Sequence, residues 1–279
     1  MILLKYIKDI DNAVENFRTK KQSIGFVPTM GALHDGHISL IEKSKKKQAI
    51  TVCSIFINPT QFNNVDDLQK YPITLENDID KLEKAGCDVL FLPSVNEMYP
   101  SGQANAHYEL GMLENILEGR FRPGHFQGVC IIVDKLLAAV QPTALYLGRK
   151  DYQQCLVIQK MMTDRKYNIE LNICDTIRET DGLAMSSRNM RLNEMERQKA
   201  LCIIESLILI KNNIVPGKLD DLKNEATEFL KKNGYKVDYT EIAEAETLEL
   251  QHEWDGKNKL VALVAAYLND VRLIDNIIL

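Results

Sequence analysis

FVPTMGALHDGH, residues 26–37, carries an apolar run into a glycine-bearing turn and then into a helix start with two histidines three residues apart. A strand that feeds directly into a helix is the building unit of a parallel α/β sheet. The helix start presents backbone N–H groups with no partner inside the helix, and these attract anions. Gly31 and Gly36 let the backbone approach a phosphate closely. His34 and His37, one turn apart, point the same way. An imidazole donates to a phosphoryl oxygen and takes on charge as the phosphate leaves. The stretch aims N–H groups and two imidazoles at one point, which suits a nucleotide's phosphate chain. A lone HxxH would more often hold a histidine that caps a helix or satisfies a buried carbonyl, so the surrounding segments decide.

Those segments repeat the style. The runs at 24–29, 50–57, 88–93, 144–148 and 169–174 are rich in Val, Ile, Leu and Phe and read as parallel strands buried on both faces. Residues 37–47, 75–86, 126–140 and 150–163 read as helices, and in the last of them Tyr152, Cys155, Leu156, Gln159 and Met162 mark one face. The alternation predicts an α/β doubly wound parallel sheet, with ligands at the carboxyl ends of its strands. After about residue 176 the character changes. Charged amphipathic helices are expected over 193–212 and 218–233, separated by Pro216-Gly217, then strands over 235–243, 260–268 and 271–279. This predicts two domains, 1–176 and a smaller α+β domain 177–279, with DGLAMSSRN (181–189) at the hinge.

Composition narrows the class. A formal net charge of −5 argues against a general nucleic-acid binder, which needs a basic surface to displace counterions. The six cysteines show no CxxC pair and mostly sit in apolar runs, so they read as small core residues in a reducing, cytoplasmic setting. The opening MILLKYIKDIDN breaks its apolar run at Lys5, too early for a signal-peptide core. No stretch reaches the roughly 20 apolar residues of a membrane span.

Further polar groups lie where strands end. Asn58-Pro59-Thr60-Gln61-Phe62 offers two amides and a hydroxyl, enough to hold a small hydroxy acid, although alone it reads as an ordinary Asn-Pro turn. Gly148-Arg149-Lys150-Asp151 opens a helix with a point charge for phosphate at Lys150 and a capping group at Asp151, or else forms a solvated charge cluster; one of Gln153 and Gln154 should face a pocket. Met185-Ser186-Ser187-Arg188 supplies hydroxyls and a guanidinium for pyrophosphate oxygens, or else a polar turn. EGRFRPGHFQG adds Arg120, Arg122 and His125, as a lid or as a surface turn. There is no GxxxxGK[ST], no GxGxxG and no GxSxG, so P-loop, dinucleotide and serine-nucleophile chemistry lack their signatures.

FVPTMGALHDGH, NPTQF, the YP before the acidic helix at 71–80, EGRFRPGHFQGV, YLGRKDYQQ and DGLAMSSRN together resemble the pantoate–β-alanine ligases, within the HxGH nucleotidyltransferase superfamily. The resemblance spans essentially 24–190 in matching order. It implies a Rossmann-like domain with a smaller lid-like domain, cytoplasmic location, a homodimer, and use of ATP with Mg2+. It implies that pantoate attacks ATP to give pantoyl-adenylate and pyrophosphate, and that β-alanine then displaces AMP.

Carried over by position, Met30, Gly31, Ala32, Leu33, His34, Asp35, Gly36 and His37 form the ATP-contacting turn, with His37 the proton donor toward the departing phosphate. Gly148, Arg149, Lys150, Asp151, the backbone at Ile177, and Met185, Ser186, Ser187 and Arg188 form the remaining ATP contacts. Lys150 and Arg188 stabilise charge during adenylation. Gln61 and Gln154 hold pantoate, and Pro28 and Met30 form an apolar wall against its methyl groups. The family usually has an acidic or amide residue at Arg149, which here either meets phosphate or points to solvent. The metal's protein ligands stay unassigned; Glu76, Asp78 and Asp80 either assist it or line a solvated helix face. Two rivals remain: a nucleotidyltransferase that keeps the nucleotide on its product, and a non-catalytic nucleotide-binding protein.

Overall fold

The computed structural model describes the chain except residues 63, 64, 101 and 103–105 and the side chain of residue 65. Its residues gather into two compact units, Met1–Arg149 with Val157–Asp175, and Lys150–Leu156 with Thr176–Leu279.

The first unit holds Ile2–Leu4 (β1), Ile24–Thr29 (β2), Ile50–Ile55 (β3), Val89–Phe91 (β4), Ala144–Gly148 (β5) and Glu170–Cys174 (β6). They form one parallel sheet in the order β1-β4-β3-β2-β5-β6. The doubly wound sheet expected from the apolar runs is present, with one addition. β1 pairs Ile2 with Val89 through Leu4 with Phe91 along an outer edge. Three residues, two of them exposed, carry too little periodicity to be read as a strand.

The helices up to residue 164 are Ile7–Thr19 (α1), Asp35–Lys47 (α2), Val65–Gln69 (α3), Leu75–Lys84 (α4), Val95–Met98 (α5), Leu117–Phe121 (α6), His125–Val140 (α7) and Tyr152–Asp164 (α8). α1 buries Ile10, Val14 and Phe17 at steps of four and three. α7 is apolar almost all round, from Phe126 to Val140, as a helix packed on several sides must be. The face read for α8 needs correction. Cys155, Ile158, Met161 and Met162 are buried, whereas Gln159 is exposed and Leu156 only half-buried. Val157 and Ile158 are both fully buried, so the buried side of α8 is wider than the single stripe read from the sequence.

From β2 the chain steps outward through β3 to β4, then returns to lay β5 on the other flank of β2. The carboxyl ends of β2 and β5 therefore flank the topological switch point, where ligands of open α/β sheets bind. The turn that leads to His34 and to the start of α2, with His37, leaves β2 there, and Gly148 ends β5 there.

The second unit contains Glu194–Lys199 (α9), Cys202–Asn213 (α10) and Asp220–Lys232 (α11). Its strands are Gly217–Lys218 (β7), Lys236–Glu244 (β8), Glu253–Trp254 (β9), Leu260–Leu268 (β10) and Val271–Ile278 (β11). β11, β10 and β8 form an antiparallel sheet in that order. Its core gathers Ile203, Leu207 and Ile210 of α10, Leu230 of α11, and Ala262 and Val264 of β10. The single helix expected over 193–212 is two. Leu201 N–H bonds Gln198 and Ile203 N–H bonds Ala200, both three residues back, and this tightened turn ends α9 and restarts the chain.

Cys53, Cys87, Cys130, Cys155 and Cys174 are buried, Cys202 is half-buried, and all are free thiols. Burial pushes the thiols of Cys87 and Cys130 up to about 12, so they stay protonated and behave as apolar core groups. Among the described residues no helix is long and apolar enough to cross a membrane.

Candidate active site

The turn after β2 is held from inside the protein. Gly31 has φ +85° and Ala32 φ +49°, so the backbone passes through the left-handed region at two successive residues. The buried carboxylate of Asp78 on α4 accepts the N–H groups of Ala32 and Leu33, each at 2.8 Å. Thr74 steadies that carboxylate with its hydroxyl at 3.0 Å. Lys81, one turn further along α4, donates to the carbonyl of Leu33 at 2.6 Å. The N–H of Gly31 goes to the hydroxyl of Thr29 at 3.3 Å, and that hydroxyl donates to the carbonyl of Ser54 at 2.8 Å.

One expectation changes here, that for Asp78. The N–H groups of Gly31, Ala32 and Leu33 bond Thr29 and Asp78. The helix-start N–H groups that lack an intrahelical acceptor near the histidines are those of Asp35 and Gly36. Asp78 is no part of a solvated face: it is 1% exposed, whereas Glu76 and Asp80 of the same helix are exposed. A signal was legible in hindsight. Asp78 and Leu82 are four apart and share the buried face of α4, and an acid on an apolar stripe demands partners.

His34 sits at the cap of α2 and His37 at its third position. Their ring centroids lie 4.0 Å apart. His37 Nδ1 accepts the N–H of His34 at 3.3 Å. A nitrogen that accepts carries no proton in the neutral ring, so the proton of His37 sits on Nε2. The capping and donor readings are thus compatible: one nitrogen fixes the ring and the other carries the proton.

After β3, the NPTQF turn is built around Asn58, 1% exposed. Asn58 Oδ1 accepts from the hydroxyls of Thr60 at 3.0 Å and Tyr99 at 2.8 Å. Burial raises the Tyr99 phenol's pKa and keeps it a donor. Asn58 Nδ2 donates to the carbonyl of Gly128 at 3.0 Å and to Gln61 Oε1 at 3.2 Å. Gln61 Nε2 then meets Met30 Sδ at 2.8 Å, joining the turn after β3 to the turn after β2. Asn58 orients the Gln61 amide, a task for which the sequence had assigned only Gln61 itself.

EGRFRPGHFQG is neither a lid nor a surface turn where it meets this site. His125 is 5% exposed, and its Nδ1 is 2.8 Å from the carbonyl of Gln61. A Cβ on Gly128 would fall 2.3 Å from the carbonyl oxygen of Thr60, so the first turn of α7 packs backbone to backbone on NPTQF.

The remaining candidates lie at the end of β5 and in the second unit. Arg149 pairs with Asp175 and its N–H bonds the carbonyl of Cys174 at 2.7 Å, so its charge has a carboxylate partner at the end of β6. Lys150 Nζ is 3.8 Å from Asp151. Gln153 is 2% exposed, while Gln154 is half-buried and keeps access to solvent. The carbonyl of Ile177 accepts the N–H of Met185 at 3.0 Å, and Ser186 Oγ caps a short 3-10 turn by accepting from Arg188 N–H at 3.3 Å. Ser187 is buried.

A parallel α/β sheet with HDGH at the head of a helix on its switch point defines a nucleotide-dependent transferase or ligase of the HxGH type. The family model for pantoate–β-alanine ligases matches residues 2–278. Pantothenate synthetase of Cytophaga hutchinsonii is 43% identical over 282 residues, covering 100% of this chain and 99% of that protein. The Thermotoga petrophila pantothenate synthetase is 43% identical, covering 100% of both. Among solved structures, the pantothenate synthetase of Thermus thermophilus superposes with a TM-score of 0.90 at 37% identity, covering 99% of each chain. The pantoate–β-alanine ligase of Francisella tularensis, solved in complex with β-γ ATP and β-alanine, superposes with a TM-score of 0.83 at 39% identity, over 99% and 97% of the two chains. The chain belongs to the pantoate–β-alanine ligase family and is an ATP-dependent ligase of that kind.

Proposed function

We propose that the reaction runs through pantoyl-adenylate, with His37 as donor to the departing phosphate and Gln61 and Gln154 as the hold on pantoate. In the first step a pantoate carboxylate oxygen bonds the α-phosphorus of ATP, the bond to the β-phosphate bridge breaks, and pyrophosphate leaves. In the second, the β-alanine amine attacks the acyl carbon, AMP leaves with the bonding pair, and the nitrogen sheds a proton. A carboxylate resists amine attack until it carries a good leaving group, which adenylation supplies. The protein's part is positioning and charge stabilisation. His37 Nε2–H, His34 and the N–H groups of Asp35 and Gly36 meet developing phosphate charge, and Lys150 and Arg188 add full cations. Pro28 and Met30 face the methyl groups of pantoate.

The observation that carries this reading is the contact between Gln61 and Met30, with the paired rings of His34 and His37 on the same turn as Met30. An amide able to hold a hydroxy acid and imidazoles able to meet phosphate therefore stand on adjoining turns of one sheet edge. Magnesium is assigned by family resemblance. Among the described residues no group of three or more His, Cys, Asp or Glu forms a cage for a metal ion. In this proposal the ion rides on phosphate oxygens and water. A homodimer and a cytoplasmic location belong to the same proposal.

The test is pyrophosphate release from ATP, magnesium and pantoate, with and without β-alanine. Pantoate-dependent release, with AMP and pantothenate only once β-alanine is present, is expected. Release that ignores pantoate would discard the substrate assignment, and product that retains the nucleotide would favour another HxGH transferase. Gln61→Ala should raise the KM for pantoate about three- to tenfold, the scale of one lost hydrogen bond, with the KM for ATP nearly unchanged. Equal weakening of both ligands in steady-state kinetics would remove Gln61 from the pantoate site.

A further inference from the structure

We propose that Asp275 and Asn276, neighbours near the end of β11, are positioning residues for adenylation. They anchor the Lys150 segment and the hairpin that leads into Ser186–Arg188 to one strand. The inference rests on the reading that Lys150 and Arg188 act on the phosphates.

The Arg178 guanidinium grips the Asp275 carboxylate with two prongs, at 2.6 and 3.1 Å. The same guanidinium donates to the carbonyls of Gly182 at 3.1 Å and Asn276 at 3.4 Å. Gly182 lies at the tip of a hairpin in which Glu179 N–H bonds Leu183 at 2.8 Å and Met185 N–H bonds Ile177 at 3.0 Å. That hairpin delivers Ser186, Ser187 and Arg188. Asn276 reaches a different segment: its Nδ2 donates to the carbonyl of Lys150 at 2.9 Å. Successive strand residues point to opposite faces, which is how two adjacent side chains can serve two separate segments.

Asp275 and Asn276 are 3% and 5% exposed and are in register with Val264 and Leu263 of β10. A wholly apolar replacement of the Arg178–Asp275 pair would often cost little stability, because a buried ion pair repays its desolvation poorly. What the polar pair adds is geometry. A bidentate guanidinium–carboxylate pair and an amide–carbonyl bond fix direction as well as distance. The two cationic groups assigned to phosphate thereby hang from consecutive residues of one eight-residue strand.

The test is a double-mutant cycle on pantoate-dependent pyrophosphate release. Asn276→Ala should lower the rate about tenfold, the scale of a small misplacement of a charged group. In a Lys150→Ala background the same change should cost less than about twofold, because the group it positions is gone. Asn276→Leu, which keeps the volume and lacks the donor, should reproduce both results and serves if the alanine variant does not fold. Equal losses in the two backgrounds would overturn the proposal, as would full activity in both Asn276 variants. An undiminished rate in Lys150→Ala alone would overturn the assigned role of Lys150, and this proposal with it.

Discussion

Replacing His37 by alanine is expected to lower adenylation by roughly 10²-fold or more, the usual cost of losing one donor to a transition-state oxyanion. The structure allows a sharper version. His37 Nδ1 accepts the His34 N–H and so caps α2, which makes Nε2–H the ring's donor. Asparagine places an acceptor where Nδ1 lies but nothing where Nε2 lies. His37→Asn should therefore melt close to the unsubstituted protein while losing adenylation as heavily as the alanine variant. Alanine should lose about 1 kcal/mol of stability besides, the worth of a helix cap. Pyrophosphate release and thermal melts on both variants check this. Near-normal turnover in either would reduce His37 to a structural cap.

Asp78→Ala should harm folding and catalysis together. It orphans two buried N–H donors at Ala32 and Leu33. Each costs about 1–3 kcal/mol, so a loss of about 2–6 kcal/mol and a fall of several degrees in Tm are expected. Ala32 sits at φ +49°, a conformation it would leave if released, and the histidines follow directly after it. Adenylation should fall at least about tenfold at temperatures where the variant stays folded. Asp78→Asn should be nearly as damaging, because its amide turns a donor toward one of the two N–H groups. A variant with unchanged melting and full pyrophosphate release would show that the turn holds its shape without α4.

The parallel sheet was legible because strands covered on both faces must be nearly all apolar, and few other structures tolerate such runs at that spacing. The HDGH segment was legible for a related reason: glycine and histidine at a strand-to-helix junction are poor choices for mere packing. Other features were hidden by the same rules. β1 is three residues long and largely exposed, so no pattern marks it. Asp78 sits in an acidic helix whose other acids are indeed solvated, and only its place in the apolar stripe sets it apart. His125 falls just before the helix read over 126–140, in a stretch of glycine, proline and arginine, and Gly128 gives no sign of its contact because the backbone it packs against, at Thr60, is distant in the chain.

What the sequence determined by itself is the local grammar: which runs are strands, where the helices begin, and which turns carry groups able to meet phosphate and a carboxylic acid. Those properties depend on periodicity and side-chain chemistry within a few residues. The tertiary structure decided how each group is used. It spends the N–H groups of Ala32 and Leu33 on Asp78, sets the His37 proton on Nε2, turns Gln61 through Asn58, and ties Lys150 and the Ser186–Arg188 turn to β11. The reason is physical. A buried donor or acceptor must find its partner somewhere, and that partner is chosen by three-dimensional proximity, of which a linear sequence holds no direct record.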